Sequence, residues 1–256
     1  MMWKAIGKSV VGVSHLQGNT ACEDALQYTV YTSPEEEEIL IAFVSDGAGS
    51  AKQAAMASQL AVTTALGFVQ EQLQQQGVLA EKHLYQLADQ VYDALQQQAY
   101  IRQLPLEEFS CTLLGCVVFN SYACFIQVGD GAIVKYNDND FYTPVWWPHN
   151  GEYMNTTAFI NDNSFRYLKV LVTEEAITEL ALFTDGLQML ALNYETETAH
   201  HPFFKDMFKW LRFASQPEEV AILNGKLEEY LGGALINKLT DDDKTLFLAT
   251  RLQQPQ

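Results

Sequence analysis

Two long helical stretches stand next to each other inside strand-rich sequence, and that order limits the folds open to the chain. Residues 51–76 are rich in Ala, Gln, Met and Leu, which favour helix, and stop at Gly77. Residues 80–103 carry Leu84, Leu87, Val91 and Leu95 at helical spacing. Ahead of them, residues 5–13 and 25–32 and the apolar run from Ile39 read as strands. Behind them come CTLLGCVVF and YACFIQV, separated by Asn120-Ser121, then IVKYN, the stretch around FYTPVWW, FRYLKVLV and ELALFT. A short helical LQMLAL follows, then helices at 203–214 and 217–231, the second capped by Gly232-Gly233, and a last strand in KTLFLATR. A parallel sheet needs strands and helices in alternation. Strands, two helices, many strands, two helices and one strand predict instead an α+β fold, with antiparallel sheets and helices packed outside them.

No linker or internal repeat divides the 256 residues, so a single domain over 1–256 is expected. The formal charge is −17, from 15 basic and 32 acidic residues. Such a surface opposes nucleic acid, which is held by Lys and Arg, and opposes an anionic membrane. It suits a cation site, a basic partner, or solubility alone. Cys22, Cys111, Cys116 and Cys124 form no CxxC pair, and the last three lie in apolar, strand-like sequence. They read as free thiols in a reducing compartment. With no signal-peptide core and no membrane-length run, the expected location is cytoplasmic.

Three apolar runs finish on aspartate and glycine: FVSDG, IQVGDG and LFTDG, with Asp46, Asp130 and Asp185. Glu23-Asp24 and Asp241-Asp242-Asp243 stand where two other strands begin. Carboxylates beside buried strands are costly unless paired or bound to metal. If these strand ends meet, their oxygens suit Mg²⁺ or Mn²⁺. A hairpin turn is an equal reading for Asp130-Gly131, because a strand follows it. Asp241–Asp243 also reads as a plain acidic loop. Asp46 and Asp185 resist the turn reading, because helical sequence follows both.

The ordered set ED…SDGAGS…SCTLLG…VGDG…FTDGL…DDKT resembles the PP2C-type metal-dependent protein phosphatases, in the bacterial branch with motifs SH, [EQ]D, DGAGSAK, GDG and DDxT. The resemblance runs from about Gly12 to Ala249. It implies a sandwich of two antiparallel sheets with helices on both outer faces. It also implies hydrolysis of phosphoserine or phosphothreonine in proteins, with Mn²⁺ or Mg²⁺, two ions and possibly a third. Asp46 matches the aspartate that bridges two ions, and Gly47 the glycine whose carbonyl helps hold one. Asp185 and Asp242 match further ligands. Glu23 matches a ligand acting largely through water, with Asp24 as its neighbour, and Asp130 matches the aspartate of a third, weaker site. The partners implied are a phosphorylated protein and a Ser/Thr kinase.

Two positions depart from the better-known branch. A phosphate-gripping arginine would fall at Asn19, and a histidine proposed as general acid would fall at Ala48. His15 and Lys52 are the candidate replacements; a strand-end histidine and a surface lysine are the alternatives. The segment 146–165 is expected as a flap by the same resemblance. Two divalent ions roughly 4 Å apart acidify a water and stabilise attacking and leaving oxygens, so no protein nucleophile is required. GAGSAK lacks the P-loop spacing, which sets nucleotide hydrolysis aside. The remaining rival is a catalytically weak or inactive module of the same fold that binds a phosphoprotein or a kinase. Asn19 and Ala48 support it; the full carboxylate set opposes it.

Overall fold

The computed structural model describes residues 2–35, 37–136, 141–148, 158–160 and 166–252. The chain divides into two compact units. One comprises residues 1–22, 131–147 and 177–256; the other comprises 23–130 and 148–176. Each is built around one five-stranded antiparallel sheet, the α+β arrangement that the element order predicts.

In the first unit the sheet runs β1 (Lys4–Val10), β12 (Lys244–Thr250), β9 (Glu179–Phe183), β6 (Ala132–Tyr136), β7 (Tyr142–Pro144). The first and last long strands of the chain therefore lie side by side, Lys4 opposite Thr250 and Val10 opposite Lys244. The short α1 (Val13–Gly18) follows β1, and α4 (Gln188–Ala191) follows β9. A two-stranded ribbon, β10 (Leu192–Asn193) with β11 (Thr198–Ala199), leads into α5 (His201–Phe213) and α6 (Pro217–Leu231). Phe203, Phe204, Phe208 and Leu211 of α5 and Leu227 and Leu231 of α6 share a core with Ile6, Phe183, Leu246 and Leu248 of the sheet. Pro217 occupies the first turn of α6, where its missing N–H costs nothing. Gly232 closes that helix at φ −81°, so the glycine pair ends it without the left-handed turn that such pairs supply elsewhere.

In the second unit the order is β2 (Asp24–Thr32), β3 (Glu38–Asp46), β4 (Leu113–Val118), β5 (Ala123–Val128), β8 (Lys169–Thr173). Helices α2 (Ala54–Gln76) and α3 (Glu81–Arg102) cover one face. Ala57, Ala61 and Ala65 of α2 are fully buried in the core with Ile39, Ile41 and Phe43 of β3, since small side chains let helix and sheet approach. Gly77 ends α2 at φ +68°, a conformation suited to glycine. Leu40, Ala42 and Val44 are as inaccessible as their alternate neighbours, so β3 is buried on both faces and reads as a continuous apolar run. Gly115 of β4 makes room for the Phe43 ring, because a Cβ there would lie 2.2 Å from a ring carbon.

Two sequence expectations change. Residues 5–13 were expected as one strand; β1 stops at Val10 and α1 begins at Val13. The turn at Asp130-Gly131 is not a hairpin, because β5 pairs with β4 and β8 whereas β6 pairs with β7 and β9. Among the described residues no cysteine forms a disulfide, and Cys111, Cys116 and Cys124 are buried. Burial pushes the Cys111 and Cys124 thiols up to about 12, so they pack as apolar groups. Among the described residues no helix is long and apolar enough to cross a membrane.

Glu179 begins β9 with its side chain fully buried. Arg212 Nε (2.7 Å), Tyr142 Oη (2.8 Å) and Thr250 Oγ1 (2.7 Å) donate to its carboxylate, and Arg212 Nη2 adds a second guanidinium contact. Removing Arg212 leaves that charge without its cation. Arg212→Met is therefore expected to cost about 3–5 kcal/mol, read as a fall in the urea midpoint with little change in slope.

Candidate active site

Asp46 is the last residue of β3 and stands opposite Asp24, the first of β2, with Glu23 just before it. Asp24 is buried, which places two carboxylates at one end of a rigid ladder. The strand geometry is continued past its end by residues 110–112. The Thr112 N–H donates to the Asp46 carbonyl at 2.8 Å, and the Asp46 N–H donates to Thr112 Oγ1 at 2.9 Å. Ser45 Oγ donates to the Thr112 carbonyl at 2.5 Å. Gly47 bridges to Cys111, and its N–H donates to the Glu23 carbonyl at 3.1 Å. A Cβ at Gly47 would sit 2.5 Å from the Ala54 carbonyl oxygen, so only glycine lets α2 start this close to the strand end. Gly49 passes over the Glu23 carboxylate, with Oε2 3.9 Å from where its Cβ would be.

The rest of the DGAGSAK loop is fastened to residues 108–110. The Ala48 N–H donates to the Ser110 carbonyl (2.9 Å) and the Gln53 N–H to the Glu108 carbonyl (3.0 Å). Lys52 meets Glu108 twice, through its N–H to Oε2 and its Nζ to Oε1, each at 2.8 Å. The Lys52 hydrogen bonds hold the Glu108 carboxyl below its usual range. Lys52 is thus an exposed side chain engaged with Glu108. Ala48, at the position of the family's histidine, is buried against Ala51 and Ala54. Asp130 is buried behind Gly129, whose φ of +118° and 2.6 Å approach to the Thr112 side chain both demand glycine.

The other unit carries Asp185 and Asp242. Asp185 opens a 3-10 turn, Asp185–Leu187, directly after β9. A Cβ on Gly186 would fall 2.0 Å from the Asp243 carbonyl oxygen and 3.5 Å from Asp242 Cβ. The Asp-Gly corner after β9 therefore rests on the aspartate turn before β12, and Thr184 joins the two: Thr245 N–H donates to its Oγ1 at 3.0 Å. Asp243 is buried and serves as an anchor. It accepts the Gly12 N–H at 2.6 Å and lies 2.9 Å from His15 Nδ1. Ser14 adds two bonds from its N–H (2.9 Å) and Oγ (2.8 Å) to the Asp241 carbonyl. The SH segment is thereby clamped to the DDD turn. Burial, with Asp243 and Asp241 beside it, pushes the Asp242 carboxyl above its ordinary value.

Asn19 caps α1 at φ 55°, ψ 38°, its N–H reaching the Leu16 carbonyl. Asparagine tolerates that left-handed conformation, whereas arginine would be strained there. The roles of Thr112, Asp243 and Glu108 were not assigned from sequence. The SCT and DDKT motifs contained the first two, but nothing in spacing distinguishes an anchor from a ligand. The proposed flap over 146–165 falls largely outside the described residues. Among the described residues no three His, Cys, Asp or Glu side chains gather into a ready-made metal cluster. What each unit does present is carboxylate oxygen at rigid strand ends, Asp46 in one and Asp185 and Asp242 in the other. That donor chemistry fits a hard divalent cation.

Comparison with known proteins identifies the family. Residues 11–232 match the family described as protein phosphatase 2C. The chain is 32% identical over 255 residues to serine/threonine-protein phosphatase 3 of Escherichia coli (strain K12), covering 97% of this chain and 98% of that one. Among solved structures it resembles a bacterial serine phosphatase with a TM-score of 0.62 at 15% identity, covering 100% of both chains. It also resembles the catalytic domain of the serine threonine protein phosphatase PstP in complex with two manganese ions, with a TM-score of 0.62 at 15% identity, covering 97% of each chain. The serine/threonine phosphatase Stp1 of Staphylococcus aureus gives a TM-score of 0.61 at 16% identity, over 98% of this chain and 95% of that one. These neighbours share the fold, and the near full-length sequence match settles the family: the chain belongs to protein phosphatase 2C.

Proposed function

We propose that the protein hydrolyses phosphoserine and phosphothreonine in other proteins with the help of Mn²⁺ or Mg²⁺, in a reducing compartment such as the cytoplasm. The observation that carries this reading is the presence, at or beside strand ends, of every carboxylate that the motif resemblance implies for the site: Asp46, Asp185, Asp242, Glu23, Asp24 and Asp130, together with Gly47. Two bound ions, with a weaker third, would act as Lewis acid and source of an acidified water. Asp46, the Gly47 carbonyl, Asp185 and Asp242 are the proposed ligands, Glu23 acts through water beside Asp24, and Asp130 serves the third position. The chain acts over 1–256 as one phosphatase domain.

The residues do the rest by holding position. Asp46 is fixed by its ladder to β2 and by Thr112. Asp242 is held in a turn closed by its own Oδ1, which accepts the Asp243 N–H at 2.8 Å. His15, oriented by Asp243, is the candidate proton donor to the leaving group. Lys52 is the candidate phosphate contact, in exchange with Glu108. A phosphorylated protein is the substrate, and a Ser/Thr kinase acting on the same protein is the proposed counterpart. An inactive binding module would not require the complete ligand set.

Hydrolysis of a chromogenic phosphate ester should appear with Mn²⁺ and vanish with excess EDTA. Full turnover after metal stripping refutes the mechanism. Asp46→Asn should cost more than the roughly 10–100-fold that losing an outer-shell partner costs. Near wild-type turnover at saturating Mn²⁺ would remove Asp46 from the ligand set.

Ionising Asp242 costs the folded chain stability, because its folded pKa is raised by burial and neighbouring carboxylates. Asp242→Asn is therefore expected to raise the melting temperature in EDTA while shrinking the rise that Mn²⁺ produces in the wild type. Thermal scans with and without metal read both effects.

Lys52→Ala should raise KM for a phosphopeptide about tenfold, the size of one hydrogen bond to a charged group. A change below about twofold assigns Lys52 to the Glu108 anchor alone.

A further inference from the structure

Thr112 does several things at once. It is almost wholly inaccessible, and it continues the β3–β4 register one pair beyond the named strand, opposite Asp46. Its N–H donates to the Asp46 carbonyl (2.8 Å), and its hydroxyl accepts the Asp46 N–H (2.9 Å). A side-chain hydroxyl thus joins the ladder at the residue whose carboxylate is to be aimed. The Thr112 carbonyl is held in turn by Ser45 Oγ (2.5 Å). Its Cβ and methyl press on Gly129, each 2.6 Å from where a Cβ on that glycine would stand, and Asp130 follows immediately. One buried side chain therefore fixes the backbone of Asp46 through a polar atom and the backbone before Asp130 through an apolar one.

We propose that Thr112 is a positioning residue for the proposed cation ligands Asp46 and Asp130, its hydroxyl setting the first and its methyl the second. The proposal rests on the metal-dependent reading above. A β-branched side chain with one hydroxyl and one methyl is required, because the stiff χ1 holds both groups in place together. Valine keeps the shape and loses the acceptor. Serine keeps the acceptor and loses the methyl.

The test measures Mn²⁺ binding calorimetrically on the metal-stripped full chain, with the metal-free melting temperature recorded beside it. Thr112→Val should weaken the tighter Mn²⁺ binding about 10–100-fold, the cost of removing an outer-shell partner. Thr112→Ser should restore that affinity to within about threefold while still weakening the Asp130 site. At saturating Mn²⁺ the valine variant should regain turnover with KM little changed, which a general loss of structure would not allow. Should Thr112→Val fail to fold, Ser45→Ala, which releases the Thr112 carbonyl, should weaken Mn²⁺ binding in the same direction. Wild-type affinity in Thr112→Val, or in Ser45→Ala where that variant is needed, overturns the proposal. Absence of Mn²⁺ binding by the wild type overturns the metal-dependent reading itself and this proposal with it, so the two failures are distinguishable.

Discussion

A carboxylate at the end of a fully buried strand must find compensation for its charge, and each unit is arranged around that requirement. Residues 39–44 of β3 are apolar and inaccessible on both faces just before Ser45 and Asp46, and residues 180–183 of β9 are apolar and buried just before Thr184 and Asp185. The apolar strand gives rigidity, since its position is fixed by a close-packed core. The carboxylate at its tip inherits that rigidity. Flexible loops could carry the same residues but would lose entropy on gathering them around a cation.

The glycines follow from the same demand. Gly47, Gly129 and Gly186 all sit where a Cβ would collide with neighbouring backbone or with Thr112. Each Asp-Gly or Gly-Asp pair therefore couples a charged residue to a place where two chain segments touch. Gly47 lets α2 begin against the end of β3. Gly186 lets the corner after β9 lie on the turn before β12. The aspartate is useful because the glycine beside it permits that close approach, and the pairing recurs because the same problem is solved at each strand end. Asp243 and Thr112 complete the pattern in their own units. Neither is a proposed ligand, yet each is buried beside one and collects the hydrogen bonds that hold the adjoining backbone.

Much of this was legible in the sequence, and the reasons differ by element. Strand runs such as ILIAFV and LFLA are apolar along their whole length, so their type is fixed by composition. Helix α2 shows in its helix-favouring composition and α3 in the spacing of Leu84, Leu87, Val91 and Leu95. Asp46 and Asp185 stood out because helix-forming sequence after a DG pair is incompatible with a hairpin. Asp130 did not, because a strand follows it, and only sheet membership shows that β5 and β6 never pair. Helix α1 was missed since its six residues are too few for periodicity to register, and it is stabilised by bonds to Asp241 and Asp243 more than two hundred residues away. The anchoring roles of Thr112, Glu108 and Asp243 depend on contacts across the sequence in the same way. A motif locates such residues without telling which is a ligand and which supports one.

The departure at Asn19 has a structural meaning beyond a lost cation. The residue closes α1 in the left-handed region, where an ordinary side chain pays about 1–2 kcal/mol. Asparagine largely escapes that cost, so the backbone here matches the residue it holds. The loop and the side chain therefore belong together, and an arginine inserted at this point would have to bend the cap before it could reach a phosphate. The same loop brings Gly12, Ser14 and His15 onto the DDD turn, which no bidentate arginine requires. In this chain the SH segment is organised around Asp243 rather than around an arginine. Under the proposed function the phosphate is left to the cations and to Lys52, while this clamp holds His15 in place as the candidate proton donor.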